Sequence, residues 1–218
     1  MANASRNDKD HIMTKLSGLY LVTPDWDDTA KMLDCSEQAL RSGATILQYR
    51  HKTADATLRL EQARALQALC RRHGCLFIIN DHVDLCLELD ADGIHVGGTD
   101  AYVATVRTAV GPDKIVGASC YGDLELAHRS HREGASYVAF GGFYPSRIKK
   151  YPVTTPVEIV SQSKQEIALP VVVIGGMTID NCQPLIAAGA DMVAAISSVY
   201  MAENPELASR EFGRLFVK

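Results

Sequence analysis

The run Leu76-Phe77-Ile78-Ile79, followed by Asn80-Asp81, decides how this chain is read. Four apolar residues in succession fit a parallel strand covered on both faces by helices, since a strand with one wet face would alternate. A carboxylate directly after such a run is out of place unless something there uses it. The C-terminal edge of a strand is where α/β barrels keep their chemistry, and Asn80-Asp81 falls at that edge.

Similar runs recur on either side. Strands are expected over 18–23, 45–50, 76–80, 93–96, 115–119, 137–141, 171–175 and 192–196, with helix-like segments between them. One helix is expected over 55–73, where Leu58, Ala65, Leu66 and Leu69 keep helical spacing, and another over 178–188. Gly43, Gly74 and Gly189 follow helical patterns as stop signals. The joints Ser42-Gly43-Ala44, Glu133-Gly134-Ala135 and Ala188-Gly189-Ala190-Asp191 resemble one another, and Leu89-Asp90-Ala91-Asp92-Gly93 is a looser version. They read as the repeated joint of a βα unit. The fold class expected is α/β, a single (β/α)8 TIM barrel over residues 16–218, preceded by a short polar tail over 1–15 that should be flexible. The rival, a doubly wound open sheet, calls for a Gly-rich turn after its first strand. Thr23-Pro24-Asp25 offers none.

Composition bounds the function. The 218 residues are 47% hydrophobic and 22% charged, with a formal net charge of -4, which gives no basic bias toward nucleic acid or an anionic membrane. The six cysteines show no metal-ligand spacing and read as buried thiols of a reducing compartment. No apolar stretch reaches the ~18 residues of a membrane span. The N-terminus lacks the apolar core of a signal peptide. A cytoplasmic protein is expected.

The strand ends carry the chemistry. In Gln48-Tyr49-Arg50-His51-Lys52, alternation puts Gln48, Arg50 and Lys52 on one face, turned toward the barrel mouth. Two cations and an amide suit a phosphate or pyrophosphate, although a surface ladder paired with acidic neighbours would use the same residues. Asp81 and Asp100 follow adjacent strands and can approach each other. They suit one Mg²⁺ shared with phosphate oxygens, or each simply pairs with Arg50 or Lys52. Ser119 ends strand five. A Gly-rich turn after strand six leads into Ser146-Arg147-Ile148-Lys149. Gly176 and the Ile196-Ser197 pair end strands seven and eight, where barrels often bind phosphate. His95 reads as a packing residue, and Tyr49 and His51 should face away from the mouth.

Taken in this order, Gln-x-Arg-x-Lys, Asn-Asp, His-x-Gly-x-x-Asp, Gly-x-Ser, Ile-Gly-Gly and the final Ile-Ser resemble the thiamine-phosphate synthase family over nearly the whole barrel. The resemblance implies an enzyme, a transferase that condenses hydroxymethylpyrimidine pyrophosphate with thiazole phosphate, or its carboxylated form, and releases pyrophosphate by a Mg-assisted dissociative displacement. It implies that Gln48, Tyr49, Arg50, His51, Lys52, Asn80, Ser119 and Lys149 contact the pyrimidine pyrophosphate, with Arg50, Lys52 and Lys149 catalytic. It further implies one Mg²⁺ per subunit on Asp81 and Asp100, and thiazole phosphate on Ser146, Arg147, Ile148, Gly176, Ile196 and Ser197. The partners implied are small phosphorylated molecules, with the oligomeric state left open. The family's usual Thr-x-Thr-Lys loop reads Ser146-Arg147-Ile148-Lys149 here, so one hydroxyl is lost.

Two rival functions use parts of the same pattern. A thiazole tautomerase-like isomerase would share the fold and the thiazole-phosphate pocket without a pyrophosphate grip. A non-catalytic phosphate-ligand sensor would bind and not turn over.

Overall fold

Successive side chains of a strand face opposite ways, and in this chain the two sides enter two different cores. The computed structural model describes residues 16–97, 103–145 and 154–217. Its elements alternate as β1 (Gly18–Val22), α1 (Thr29–Leu40), β2 (Ala44–Tyr49), α2 (Ala56–His73), β3 (Leu76–Asn80), α3 (Val83–Glu88), β4 (Gly93–Gly97), α4 (Val103–Val110) and β5 (Ile115–Tyr121). They continue as α5 (Leu124–Arg132), β6 (Tyr137–Gly141), α6 (Glu158–Glu166), β7 (Val171–Ile174), α7 (Gln183–Ala187), β8 (Met192–Ala195), α8 (Ser197–Tyr200) and α9 (Pro205–Arg214). The strands pair in chain order, and β1 pairs with β8 in parallel to close the barrel. The expected (β/α)8 architecture is therefore present. The expected polar tail lies outside the described residues.

Inside the barrel sit Tyr20 and Val22, Ile46, Ile78, Tyr137 and Ala139, Val172, and Met192 and Ala194. The alternate positions Leu19, Leu21, Leu47, Phe77, Ile79, Val138 and Val173 pack outward against the helices. This two-sided burial is why the strands read as unbroken apolar runs. Two tyrosines inside a barrel are unusual cargo. Their hydroxyls pair at 2.7 Å and their rings meet edge to face at 5.9 Å, so neither buried hydroxyl is left unbonded. Gly117 makes the room, for a Cβ there would stand 2.0 Å from Tyr137 Cζ. Gly117→Ala is accordingly expected to cost about 1–3 kcal/mol by overpacking. Thermal melting should read this as a drop of roughly 2–12 °C.

The repeated joints turn out to stitch the closed, N-terminal end of the barrel. Asp92 Oδ2 accepts from Phe77 N at 2.8 Å, and Asp191 Oδ2 accepts from Val171 N at 2.7 Å. Ser136 Oγ accepts from Val116 N at 3.1 Å, and Thr45 Oγ1 donates to Ser17 O at 2.6 Å. In each case a polar side chain in or just after the joint bonds a backbone group at the start of a neighbouring strand. These bonds stabilise the closed end, which leaves the opposite end for ligands.

Helix ends follow local chemistry. Asp28, Asp55, Asp123 and Asn204 cap α1, α2, α5 and α9, each accepting from the backbone N–H three residues on. Gly74 closes α2 in the left-handed region at φ 63°. The helix expected over 178–188 is shorter and starts at Gln183. Thr178 and Asn181 cause the delay. Thr178 N donates to Asn181 Oδ1 at 2.8 Å and Asn181 N to Thr178 Oγ1 at 3.3 Å, a side-chain-bonded turn that competes with the helix. All six cysteines are free thiols, and all but Cys35 are buried. Burial pushes the Cys120 thiol up to about 12. Among the described residues no helix is long and apolar enough to cross a membrane.

Candidate active site

The C-terminal ends of β2 to β5 open on a cavity of about 150 Å³ lined by Gln48, Arg50, Lys52, Asn80, Asp81 and Ser119, with Ile196 contributed from beyond β8. Seven of the residues expected in the mouth therefore meet there. Alternation along β2 and its extension turns Gln48, Arg50 and Lys52 inward, as expected. It turns Tyr49 and His51 outward, where Tyr49 Oη donates to Gln62 Oε1 at 3.0 Å and His51 Nδ1 lies 3.1 Å from the same oxygen. The side chains of Tyr49 and His51 thus pack on α2, and neither residue lines the mouth.

Arg50 is held on both sides of its Cα. Its backbone N–H donates to Thr23 Oγ1 at 2.8 Å, and Thr23 Oγ1 donates to Arg50 O at 2.8 Å. Its guanidinium Nη1 reaches both oxygens of Asp25 at 3.1 and 3.2 Å. Asp25 Oδ1 also accepts from Lys52 N at 2.8 Å. One carboxylate thereby holds the Arg50 guanidinium and the Lys52 backbone. The Arg50 side chain is only 10% exposed, so its charge acts in a partly dry site where it is weakly screened.

Across the mouth, Lys52 Nζ bonds Asp81 Oδ2 at 2.6 Å and Asn80 Nδ2 bonds the same oxygen at 2.7 Å. Oδ1 takes neither bond. Asp81 sits at φ 64°, a backbone region that Asp enters more readily than most residues but still at a cost. Its N–H donates to His95 O at 2.9 Å, which anchors the turn to β4. Burial pushes the Asp81 carboxyl up, but the hydrogen bond and charge of Lys52, with help from Asn80 and His95, outweigh burial and hold it below its usual value. The sign follows. A depressed carboxyl favours the fold above the ordinary carboxylate range and loses that contribution as pH falls through its folded value. At neutral pH Asp81 is an anion ready for a cation.

Ser119 precedes a register shift between Ser119 and Tyr121 on the β6 side of β5. Tyr121, at φ 52°, lines the same cavity and is partly exposed. Ser119 Oγ lies 2.9 Å from His95 Nε2, and the His95 ring stacks on Tyr137. His95 therefore packs, as expected, but it also reaches the mouth.

Gly176 and Ser197 line a second, larger cavity of about 870 Å³ together with Pro145 and Thr178. Gly176 is at φ +65°, and a Cβ there would stand 2.2 Å from Pro145 O. Asn181 Nδ2 donates to Gly176 O at 2.9 Å, Tyr144 Oη donates to Asn181 O at 2.7 Å, and Ser198 Oγ bonds Met177 O. These bonds tie together the ends of β6, β7 and β8. Asp100, Ser146, Arg147, Ile148 and Lys149 lie outside the described residues.

Tyr20 and Tyr121 line the mouth, and Asp25 and Tyr137 support it by bonding Arg50 and His95; the sequence analysis marks none of them. Asp25 could have been found, since it ends the first strand in Thr23-Pro24-Asp25 and needs a cation at that edge. Tyr137 carries no such signal, because an aromatic residue at a strand start reads as core.

A model of the family "Thiamine monophosphate synthase" matches residues 19–199. The chain belongs to this family. The matched residues run from β1 through α8, so they include every described strand end discussed above. A thiamine-phosphate synthase of Janthinobacterium sp. (strain Marseille) is 66% identical over 205 residues, covering 94% of this chain and 99% of the relative. One of Methylobacillus flagellatus is 45% identical over 206 residues, covering 94% of this chain and 98% of the relative. Among solved structures, the thiamine phosphate pyrophosphorylase of Pyrococcus furiosus superposes with a TM-score of 0.81 at 31% identity, covering 94% of this chain and 96% of that one.

Proposed function

We propose that this member of the thiamine monophosphate synthase family joins hydroxymethylpyrimidine pyrophosphate to thiazole phosphate, or to its carboxylated form with loss of that carboxylate as CO2, giving thiamine phosphate and pyrophosphate. The observation that carries the reading is the convergence of Arg50, Lys52 and Asp81 with Gln48, Asn80 and Ser119 in one mouth. The relatives are synthases by name, and nothing in the comparisons favours an isomerase or a sensor.

The bond between the pyrimidine methylene carbon and the pyrophosphate oxygen breaks, and the thiazole nitrogen bonds to that carbon. The leaving group takes the electron pair, so the barrier falls with the charge placed against it. Arg50 supplies a planar fork held by Asp25, and Lys52 a point charge beside it. Lys149 would join them from the strand-six loop. Gln48, Asn80 and Ser119 orient the pyrimidine pyrophosphate. The thiazole phosphate takes Ser146, Arg147, Ile148, Gly176, Ile196 and Ser197. No side-chain nucleophile is needed, since the methylene carbon is attacked by the second substrate.

The donor chemistry fits one Mg²⁺. Asp81 is held ionised and turned into the mouth with Oδ1 clear of its two hydrogen bonds, and hard cations take one or two carboxylates plus phosphate oxygens. Asp81 and Asp100 would hold the ion, which when bound neutralises pyrophosphate charge that the carboxylates alone would repel. Asp81→Asn is expected to raise the Mg²⁺ concentration for half-maximal rate by about tenfold or more, as measured by metal titration of initial rates.

Incubation with both substrates and Mg²⁺ tests the function. Thiamine phosphate and pyrophosphate in equal amounts are expected. Conversion of thiazole phosphate alone and without metal would show an isomerase, and binding without turnover would show a sensor.

A further inference from the structure

A line of hydrogen bonds crosses the barrel interior beneath the mouth. Gln48 Nε2 donates to the Tyr20 hydroxyl at 2.8 Å, and the Tyr20 and Tyr137 hydroxyls are 2.7 Å apart. The Tyr137 hydroxyl lies 3.0 Å from His95 Nδ1, and His95 Nε2 lies 2.9 Å from Ser119 Oγ. The five residues come from β2, β1, β6, β4 and β5. Tyr20 and Tyr137 are buried, while both ends of the line, Gln48 and Ser119, face the ligand cavity.

Counting protons gives the line a direction. A tyrosine hydroxyl has one proton to donate, and a neutral imidazole has one N–H. Gln48 gives Tyr20 a proton to accept, so Tyr20 spends its own on Tyr137. Tyr137 then spends its proton on His95 Nδ1. With Nδ1 accepting, the imidazole proton belongs on Nε2, which donates to Ser119 Oγ. The Ser119 proton is thereby turned away from the line and into the mouth. Reversing the Gln48 amide would reverse every step, and Ser119 would then spend its proton on His95.

We infer that Tyr20, Tyr137 and His95 are positioning residues that lock His95 as the Nε2–H tautomer and make Ser119 a hydrogen-bond donor to the ligand. Ser119 then offers its one proton to an acceptor atom on the substrate, a ring nitrogen or a pyrophosphate oxygen, and so favours a substrate that presents one there. A buried network of this kind holds its members in one arrangement, so the Ser119 proton is aimed before the substrate arrives. The identity of that substrate rests on the function proposed above; the direction of the line does not.

The tautomer is read directly in the ligand-free protein from two-bond ¹H–¹⁵N correlations of ¹⁵N-histidine, with the His95 signals assigned by their loss in His95→Gln. The expected pattern is an unprotonated Nδ1 and a protonated Nε2. A protonated Nδ1 would overturn the proposal. Tyr137→Phe keeps the ring against Gly117 and under the imidazole while removing the hydroxyl. It should release the tautomer lock and raise KM for hydroxymethylpyrimidine pyrophosphate by about fivefold to tenfold, with KM for thiazole phosphate unchanged. Unchanged tautomer and unchanged KM would overturn the proposal, and so would an equal rise in both KM values. Tyr20→Phe cuts the line one step earlier and carries the same expectations should Tyr137→Phe not fold. If the protein makes no thiamine phosphate, the proposed function falls while the tautomer result stands.

Discussion

Arg50→Ala is expected to lower kcat for thiamine phosphate formation by about 100- to 1,000-fold, the range seen when one preorganised donor to developing charge is removed. The guanidinium is nearly buried and anchored to Asp25 through both carboxylate oxygens, so it is in place before any substrate binds. The cost of organising it has been met in folding, and its full effect is available as charge develops on the leaving group. The loss should also leave Asp25 without its side-chain cation, although the Lys52 backbone N–H still bonds it. Arg50→Lys restores the charge without the fork, so it should recover only part of the rate. Steady-state rates with saturating Mg²⁺ decide the matter. Wild-type turnover by Arg50→Ala would remove Arg50 from the chemistry.

Gly176→Val should damage the other substrate's site by about 100-fold in kcat/KM for thiazole phosphate. Two costs combine. A β-branched residue at φ +65° is strained wherever it sits. Its Cβ would also press to 2.2 Å from Pro145 O, a backbone atom with no flexible end to swing aside. The β6 and β7 loops are tied through Asn181 and Tyr144, so neither can move alone. KM for the pyrimidine pyrophosphate should stay near the parent value, because Gly176 lines the larger cavity and not the Arg50 mouth. An equal loss for both substrates would show that the two cavities do not divide the substrates in this way.

The strand ends were readable because burial on both faces leaves little reason for polarity there. Asn80-Asp81 stood out against Leu76–Ile79, and alternation alone separated Gln48, Arg50 and Lys52 from Tyr49 and His51. The joints were visible too, but their work was not. That Asp92, Ser136 and Asp191 bond backbone N–H groups near the starts of neighbouring strands depends on register, which a single strand does not carry. Tyr20 and Tyr137 were illegible for a stronger reason. They are 117 residues apart, each looks like ordinary core, and their polarity matters only once the barrel closes and their hydroxyls meet. The turn at Thr178–Asn181 hid in a helical pattern because side-chain bonds to the backbone leave no trace in apolar spacing.

The clamp formed by Arg50, Lys52 and Asp81 is the centre of the account. A crystal structure of the protein with thiamine phosphate, pyrophosphate and Mg²⁺ tests it most directly. Pyrophosphate should lie against Arg50 and Lys52, with one metal ion shared by Asp81 Oδ1 and Asp100. Pyrophosphate seated instead against Gly176 and Ser197, with Asp81 still bonded to Lys52 and free of metal, would contradict it.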